Sequence, residues 1–295
     1  MNILISDSFD PSLPEQLKVF GSVSSDKSIL PQAEIVLVRS KTKCTQEYID
    51  SAPNLKLIIR GGVGVDNIDT GYAKSKGIVV RNTPKASSVA VAELAFALML
   101  AVPNRLIEAH NTTMAGKWLK SELKRTELFG KTLCLVGMGN IATEVAVRAK
   151  AFGMTVKAYR KSGAPSGCAD VKSSLKEALA GADYVSLHVP MTDETRGMVN
   201  NEFIGWMKNG AVLVNTARGK CVVEPDLVAA LESGKLGAYA TDVWLSDPPA
   251  ADCPLFRAPN VIAAPHIGAN SNENLLRIGT EVVEIIREFV KGGVK

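Results

Sequence analysis

The stretch TLCLVGMGNIATEVAVRAKAFGMTVKAYRK, residues 132–161, decides the fold. An apolar run, Leu133-Cys134-Leu135-Val136, meets Gly137-Met138-Gly139-Asn140-Ile141-Ala142. An Ala/Val-rich helical pattern then leads into a second apolar run, Met154 to Tyr159. Strand, glycine turn, helix and strand in that order open a dinucleotide-binding unit. Gly137 makes the tight turn and Gly139 lets backbone approach a pyrophosphate. Ala142 takes the third position, where helix and sheet pack closely. The helix N-terminus, with unpaired N–H groups and the positive end of its dipole, suits that anion. Gly137, Gly139, Asn140 and Ile141 are therefore candidate cofactor contacts. A glycine turn without a ligand would use the same residues, but the flanks favour the binding reading.

Outward from this unit, the chain alternates short apolar runs with helical patterns. Ile3-Leu4-Ile5, Ile35 to Val38, Leu57-Ile58-Ile59 and Ile78-Val79-Val80 read as buried parallel strands, with helices at Pro14 to Phe20, Thr45 to Ser51 and Thr70 to Ser75. A long helix from Ser87 to about Val102 ends at Pro103, and another helical pattern runs to Ala115. After the glycine turn, Asp183 to Val189, Ala211 to Asn215, Lys235 to Asp242 and Val261 to Ala264 read as further strands, and Ser271 to Val290 as a closing helix. The class is α/β. The first domain is expected to be split and rejoined by the C-terminal helix: 1–86, then a dinucleotide-binding domain at 87–267, then 268–295.

The 295 residues are 46% hydrophobic and 22% charged, with a net charge of +4 and no Lys/Arg block, which excludes a nucleic-acid binder. The apolar run Val89 to Val102 is interrupted by Glu93 and too short to span a bilayer, so no membrane partner is expected. Five scattered cysteines, odd in number and without a C-x-x-C pair, fit reduced thiols in the cytoplasm. The N-terminus reads as a first strand rather than a signal peptide.

Polar residues cluster where strands end. His266, in Pro265-His266-Ile267-Gly268, is the strongest proton-transfer candidate, because imidazole titrates near neutrality. His188, ending a strand in Ser186-Leu187-His188-Val189-Pro190, is either a cofactor contact or a structural histidine, and His110 reads as a surface residue. Arg218, in Asn215-Thr216-Ala217-Arg218-Gly219, offers a planar fork for a carboxylate and a carbonyl oxygen; an ion pair is the alternative. Asp242 and Asp247 could orient His266 or serve as turn residues. Arg60-Gly61-Gly62-Val63-Gly64 could form a nest for a small carboxylate, or be a plain glycine-rich turn.

With these residues in place, the chain resembles the D-isomer-specific 2-hydroxyacid dehydrogenase family over essentially its whole length. The resemblance rests on residues 62–69 (GVGVDNID), 82–84 (NTP), 91–94 (VAEL), the glycine turn, 187–192 (LHVPMT), 215–219 (NTARG) and 265–269 (PHIGA). It implies a Rossmann-type doubly wound cofactor domain, a smaller split flavodoxin-like substrate domain, and a homodimer built through the former. It further implies that Arg218 binds substrate, that His266 moves the proton, and that Asp247 stands where the family usually has glutamate, one methylene longer. Val63 and Gly64 would bind the substrate carboxylate. Cofactor contacts would include Val63, His188, Val189, Pro190, Thr195, Thr216, Ala217, Asp242 and Gly268.

Within the family the phosphoglycerate dehydrogenases look most similar, implying 3-phosphoglycerate and phosphohydroxypyruvate as substrates in serine biosynthesis, with Arg39 facing the phosphate. The alternatives are a glyoxylate or hydroxypyruvate reductase and a corepressor-like dinucleotide sensor. An acidic residue normally meets the adenosine ribose about 20 residues past the glycines. Here that position holds Arg160, followed by Lys161 and Ser162, which would attract a 2′-phosphate. The cofactor is therefore NAD or NADP, with NADP favoured.

Overall fold

Apolar runs of four or five residues cannot hide both faces of a strand unless helices cover both sides of the sheet. The computed structural model, which describes residues 1–292, meets that requirement twice. The chain divides into two units, Met1–Ser88 with the chain from Ala269 onward, and Val89–Gly268. The breaks at 88/89 and 268/269 compare with 86/87 and 267/268 expected from the sequence; residues 293–295 lie outside the described part.

The first unit is a five-stranded parallel sheet. Its strands are β1 (Asn2–Ile5), β2 (Ser22–Ser24), β3 (Ile35–Val38), β4 (Leu57–Arg60) and β5 (Val79–Asn82), in the order β2-β1-β3-β4-β5. That is the flavodoxin-like order 2-1-3-4-5. Between them run α1 (Leu13–Leu17), α2 (Gln46–Asp50) and α3 (Thr70–Ser75). Thr45 and Asp69 cap the latter two by accepting the Tyr48 and Tyr72 amides, which fixes where each helix starts. Alternation sorts the core: Ile3, Ile35, Leu37, Leu57 and Ile59 face one way, and Leu4, Val36, Val38 and Ile58 the other.

The second unit opens with α4 (Ser88–Ala101) and α5 (Leu106–Met114). Seven parallel strands follow: β6 (Thr132–Val136), β7 (Thr155–Tyr159), β8 (Asp170–Val171), β9 (Tyr184–Leu187), β10 (Ala211–Asn215), β11 (Leu236–Thr241) and β12 (Val261–Ala263). Their order, β12-β11-β10-β9-β6-β7-β8, is the doubly wound 3-2-1-4-5-6 arrangement extended by one strand, reversing direction between β6 and β9. The helices α6 (Asn140–Ala151), α7 (Leu175–Leu179), α8 (Asn201–Trp206) and α9 (Glu224–Glu232) cover its faces together with α4. The last helix, α10 (Asn272–Val290), is capped by Ser271 and returns to the first unit, burying Ile278, Val282 and Ile286 against β1, β3 and β4. Among the described residues no single helix is long and apolar enough to cross a membrane.

Candidate functional site

Because all seven strands of the second unit are parallel, their carboxyl ends lie along one edge. Gly137 follows β6, Arg160 follows β7, His188 follows β9, Thr216 to Arg218 follow β10, Asp242 follows β11, and His266 comes soon after β12. The crevice of an open α/β sheet forms at that edge, where the strand order reverses.

At the reversal, Gly137 has φ +94°, and a Cβ there would sit 2.4 Å from the His188 carbonyl oxygen. Only glycine fits on both counts. Gly139 is different: a Cβ there would meet nothing within 4 Å, and no side chain caps the helix that starts at Asn140. Ala142 is fully buried against the sheet. Open space in front of a helix N-terminus is what a pyrophosphate needs, so these residues fit a dinucleotide. The Thr216 side-chain oxygen supports the same fit, being buried without a hydrogen-bond partner at the end of β10.

Around the crevice the remaining candidates divide. Burial pushes the His188 imidazole down to about 4, so it is neutral near pH 7, and Ser186 Oγ lies 2.9 Å from its Nε2. Thr195 spends its hydroxyl on the Pro190 carbonyl at 2.7 Å, tying off the loop after β9. No acid follows β7. The Arg160 carbonyl accepts the Gly163 amide at 2.9 Å but its guanidinium has no hydrogen-bond or ion-pair partner among the described residues, whereas Lys161 is ion-paired with Glu194, and Ser162 Oγ accepts the Ala164 amide.

The acid–base candidates are brought together. His266 Nδ1 contacts Asp247 Oδ2, so the shorter aspartate does reach the ring. His266 is left-handed, with φ +58°, a conformation uncommon outside glycine that tends to gather at functional sites. Asp242 holds this turn in place. Its two carboxylate oxygens accept the Ile267 and Gly268 amides, both at 2.8 Å, and Trp244 Nε1 donates to the Ala264 carbonyl at 3.1 Å. Burial raises the Asp242 carboxyl above the ordinary aspartate value, against the lowering pull of the two amides. On the other side of β11, the Asn215 side chain accepts the Ala217 amide and donates to the Arg218 carbonyl, each at 3.0 Å.

Arg39, Val63 and Gly64 belong to the first unit. Val63 and Gly64 sit in the loop after β4, where Val63 O accepts from Asn82. Arg39 does not hold its fork free: its two terminal nitrogens donate to Ser8 O, Ala269 O and Asn270 Oδ1. Asn215, Ser186 and Trp244 were not singled out from the sequence. The signal for Ser186 was its place two residues before His188 on one strand, since i and i+2 share a face. Among the described residues no group of three or more His, Cys, Asp or Glu is placed to hold a metal ion.

A doubly wound sheet with a glycine turn, an uncapped helix start and a histidine–carboxylate pair at one edge defines a dinucleotide-linked oxidoreductase. The profile of the "D-isomer specific 2-hydroxyacid dehydrogenase, NAD binding domain" matches residues 96–268. The chain therefore belongs to the D-isomer-specific 2-hydroxyacid dehydrogenase family, NAD-binding oxidoreductases that act on CH–OH donors. It is 46% identical to a hydroxypyruvate reductase of Thermotoga maritima, over 88% of this chain and 85% of that one. It is 42% identical to a D-3-phosphoglycerate dehydrogenase of Methanocaldococcus jannaschii, over 89% of this chain but 51% of that one; the chain spans about half the length of that relative. D-lactate dehydrogenase of Aquifex aeolicus, solved with NAD and lactic acid, superposes with a TM-score of 0.87 at 32% identity, covering 99% of this chain and 97% of that one.

The neutral His188 yields a pH prediction. Its folded pKa of about 4 lies below the ordinary 6.5, so the unfolded chain takes up a proton first as pH falls. Stability is thus present above about 6.5 and declines towards 4, with a slope approaching one proton. Urea midpoints measured at pH 7, 6 and 5 should fall, and His188→Gln should flatten the decline. Parallel curves for both proteins would show that His188 is not the group responsible.

Proposed function

We propose that the chain reduces hydroxypyruvate, or a similarly small unphosphorylated 2-oxo acid, to its D-2-hydroxy acid. The observation that carries this reading is the His266–Asp247 pair, presented at the same sheet edge as Arg218 and the glycine turn. Arg218, whose Nη1 also donates to the Ala217 carbonyl at 2.7 Å, turns its guanidinium to the substrate's carboxylate and carbonyl oxygen. Asp247 occupies Nδ1 of His266, which leaves Nε2 to give its proton to the carbonyl oxygen on reduction and to remove the hydroxyl proton on oxidation. A bound nicotinamide dinucleotide supplies or accepts the hydride. Gly139 and the first turn of α6 hold its pyrophosphate, and the unpartnered Thr216 hydroxyl offers it a hydrogen bond.

The phosphorylated substrate expected from the sequence would draw on Arg39, whose terminal nitrogens are already committed to Ser8, Ala269 and Asn270. Similarity to the Thermotoga maritima hydroxypyruvate reductase over most of its length supports the unphosphorylated acid. Rates with hydroxypyruvate, phosphohydroxypyruvate and glyoxylate, each with NADH and NADPH, test the choice. A higher kcat/KM for phosphohydroxypyruvate would restore the phosphoglycerate reading, and no turnover with any acid would favour a dinucleotide sensor.

For the cofactor, the reading favours NADPH over NADH, because the Arg160 guanidinium is unpartnered where an acid would otherwise meet the ribose. The Lys161–Glu194 pair offsets part of that charge. The subunits are proposed to pair through the cofactor unit, where Leu106, Ile107, Met114 and Trp118 expose apolar surface.

Three outcomes are expected. His266→Gln should lower kcat about 100-fold or more, the scale of a lost general acid–base group; near-normal turnover would remove His266 from the chemistry. Arg160→Ala should cut kcat/KM for NADPH about tenfold while changing that for NADH little, as expected for one charge-assisted contact, and a wild-type preference for NADH would sink the NADPH reading. Light scattering should find a dimer that Ile107→Glu converts to monomer. A monomeric wild type would end the pairing proposal.

A further inference from the structure

Arg218 can discriminate a substrate only if its fork points the same way at every turnover; its Nη1 donates to the Ala217 carbonyl at 2.7 Å, so the fork is as steady as the turn that carries it. We infer that Tyr239 and Thr241 are positioning residues for Arg218. They form a buried, one-directional chain of hydrogen bonds that fixes the Arg218 turn and ties it to the strand end holding the His266 turn. This inference rests on the substrate-binding role proposed above for Arg218.

The register places the groups. Leu213 pairs with Tyr239 and Asn215 with Thr241 across β10 and β11. Side chains alternate along parallel strands, so Asn215, Tyr239 and Thr241 share one face. That face is closed to solvent, with Asn215 and Thr241 fully buried and Tyr239 1% exposed. The bonds run in sequence: Asn215 Nδ2 donates to Tyr239 Oη (3.2 Å), Tyr239 Oη to Thr241 Oγ1 (3.2 Å), and Thr241 Oγ1 to the Val243 carbonyl (2.8 Å).

Their direction is forced. A carbonyl only accepts, so the single Thr241 hydroxyl hydrogen goes to the carbonyl of Val243 (2.8 Å) or Asn215 (3.2 Å), and Thr241 Oγ1 accepts from Tyr239 and from the Val243 amide. Tyr239 has then spent its one hydrogen and must accept from Asn215. The Asn215 amide turns its oxygen to the Ala217 N–H and its nitrogen to the Arg218 carbonyl, and Tyr239 takes its second N–H, which adds a third hold on that orientation. At the other end, Val243 follows directly on Asp242, which grips Ile267 and Gly268 beside His266. Backbone contact closes the remaining direction: a Cβ on Gly219 would lie 2.0 Å from the Trp244 carbonyl, so the turn already touches the end of β11.

Tyr239→Phe strands one Asn215 N–H, and Thr241→Val strands the Tyr239 O–H so that it no longer holds its lone pair towards Asn215, in each case where no solvent reaches. A small misorientation of a bidentate group is costly in rate. Tyr239→Phe and Thr241→Val should each lower kcat/KM for the 2-oxo acid about tenfold, the rate equivalent of one lost buried hydrogen bond. NADPH affinity, read by fluorescence, should stay near wild type. The double variant should lose no more than either single one, because both cut the same chain, and Thr241→Ser should stay near wild type. Amide hydrogen exchange across residues 216–219 should quicken in the two single variants, whatever the cofactor loading.

All rates are taken well below each variant's Tm. Wild-type kcat/KM and exchange in Tyr239→Phe and Thr241→Val, or a double-variant loss equal to the product of the singles, would overturn the inference. Arg218→Lys is assayed in parallel. Normal turnover there would overturn the role of Arg218 itself, whereas its failure beside a wild-type Tyr239→Phe would overturn only the chain.

Discussion

Gly137 sits where two halves of a sheet diverge, and the chemistry of the second unit depends on that crossing. Its amide donates to Tyr159 O at 2.8 Å on one side, while its Cα closes on the His188 carbonyl on the other. With φ at +94° and no room for a Cβ, the position admits glycine alone. The three strand ends nearest the reversal therefore meet at a fixed spacing. Everything placed after β6, β7 and β9 inherits that geometry, and β10 to β12 extend the same edge outward.

Along that edge, function is carried by short turns rather than by the strands, and each turn is tied down by a side chain from a neighbour. Asn215 holds the turn of Arg218, Thr195 the loop after Pro190, and Asp242 with Trp244 the turn of His266. Turns at strand ends lack ladder partners, so their amides and carbonyls must find side chains or stay unsatisfied. The polar residues buried at the carboxyl ends, Asn215, Thr241 and Asp242, fill that need, while Ser186 meets the His188 ring. Thr216 stands out because its hydroxyl has no such partner.

This explains what could be read in the residues and what could not. Fully buried parallel strands announce themselves as unbroken apolar runs, so β1, β3, β4, β6 and β10 were evident. The edge strands β2 and β8 were not, since Ser22-Val23-Ser24 and Asp170-Val171 are short and largely polar. Some expected strands were trimmed where the chain bends into a functional turn: Asp183 to Val189 became Tyr184–Leu187, and Lys235 to Asp242 became Leu236–Thr241. The places of His266 and Arg218 at the sheet edge were legible because each closely follows an apolar run that reads as a strand, β12 and β10. The opposite held for Arg39. A basic residue after β3 reads as an anion contact, yet its fork binds backbone carbonyls from segments more than two hundred residues apart in the chain, which no local pattern encodes. Tyr239 was hidden for a similar reason: amid Ala238, Ala240 and Leu236 it reads as core, and its hydroxyl gains meaning only through the β10–β11 register.

The two carboxylates near His266 divide their work by exposure. Asp242 is 2% exposed and spends both oxygens on backbone amides. Burial, with a smaller contribution from the Asp247 charge, raises its pKa, and the fixed N–H dipoles of Ile267 and Gly268 pull the other way by replacing the water it lost. It is thus suited to holding a turn and poorly suited to exchanging protons. Asp247 has a side chain 45% exposed, against 31% for His266. A pair this open forgoes little hydration, so the contact adds only modestly to stability. Its value lies in direction, because a carboxylate on Nδ1 commits Nε2 to the other side of the ring. Asp247 reaches the ring from its loop, and the ring is presented from a left-handed backbone position at His266. The buried acid fixes where the histidine stands, and the exposed one fixes which way it faces.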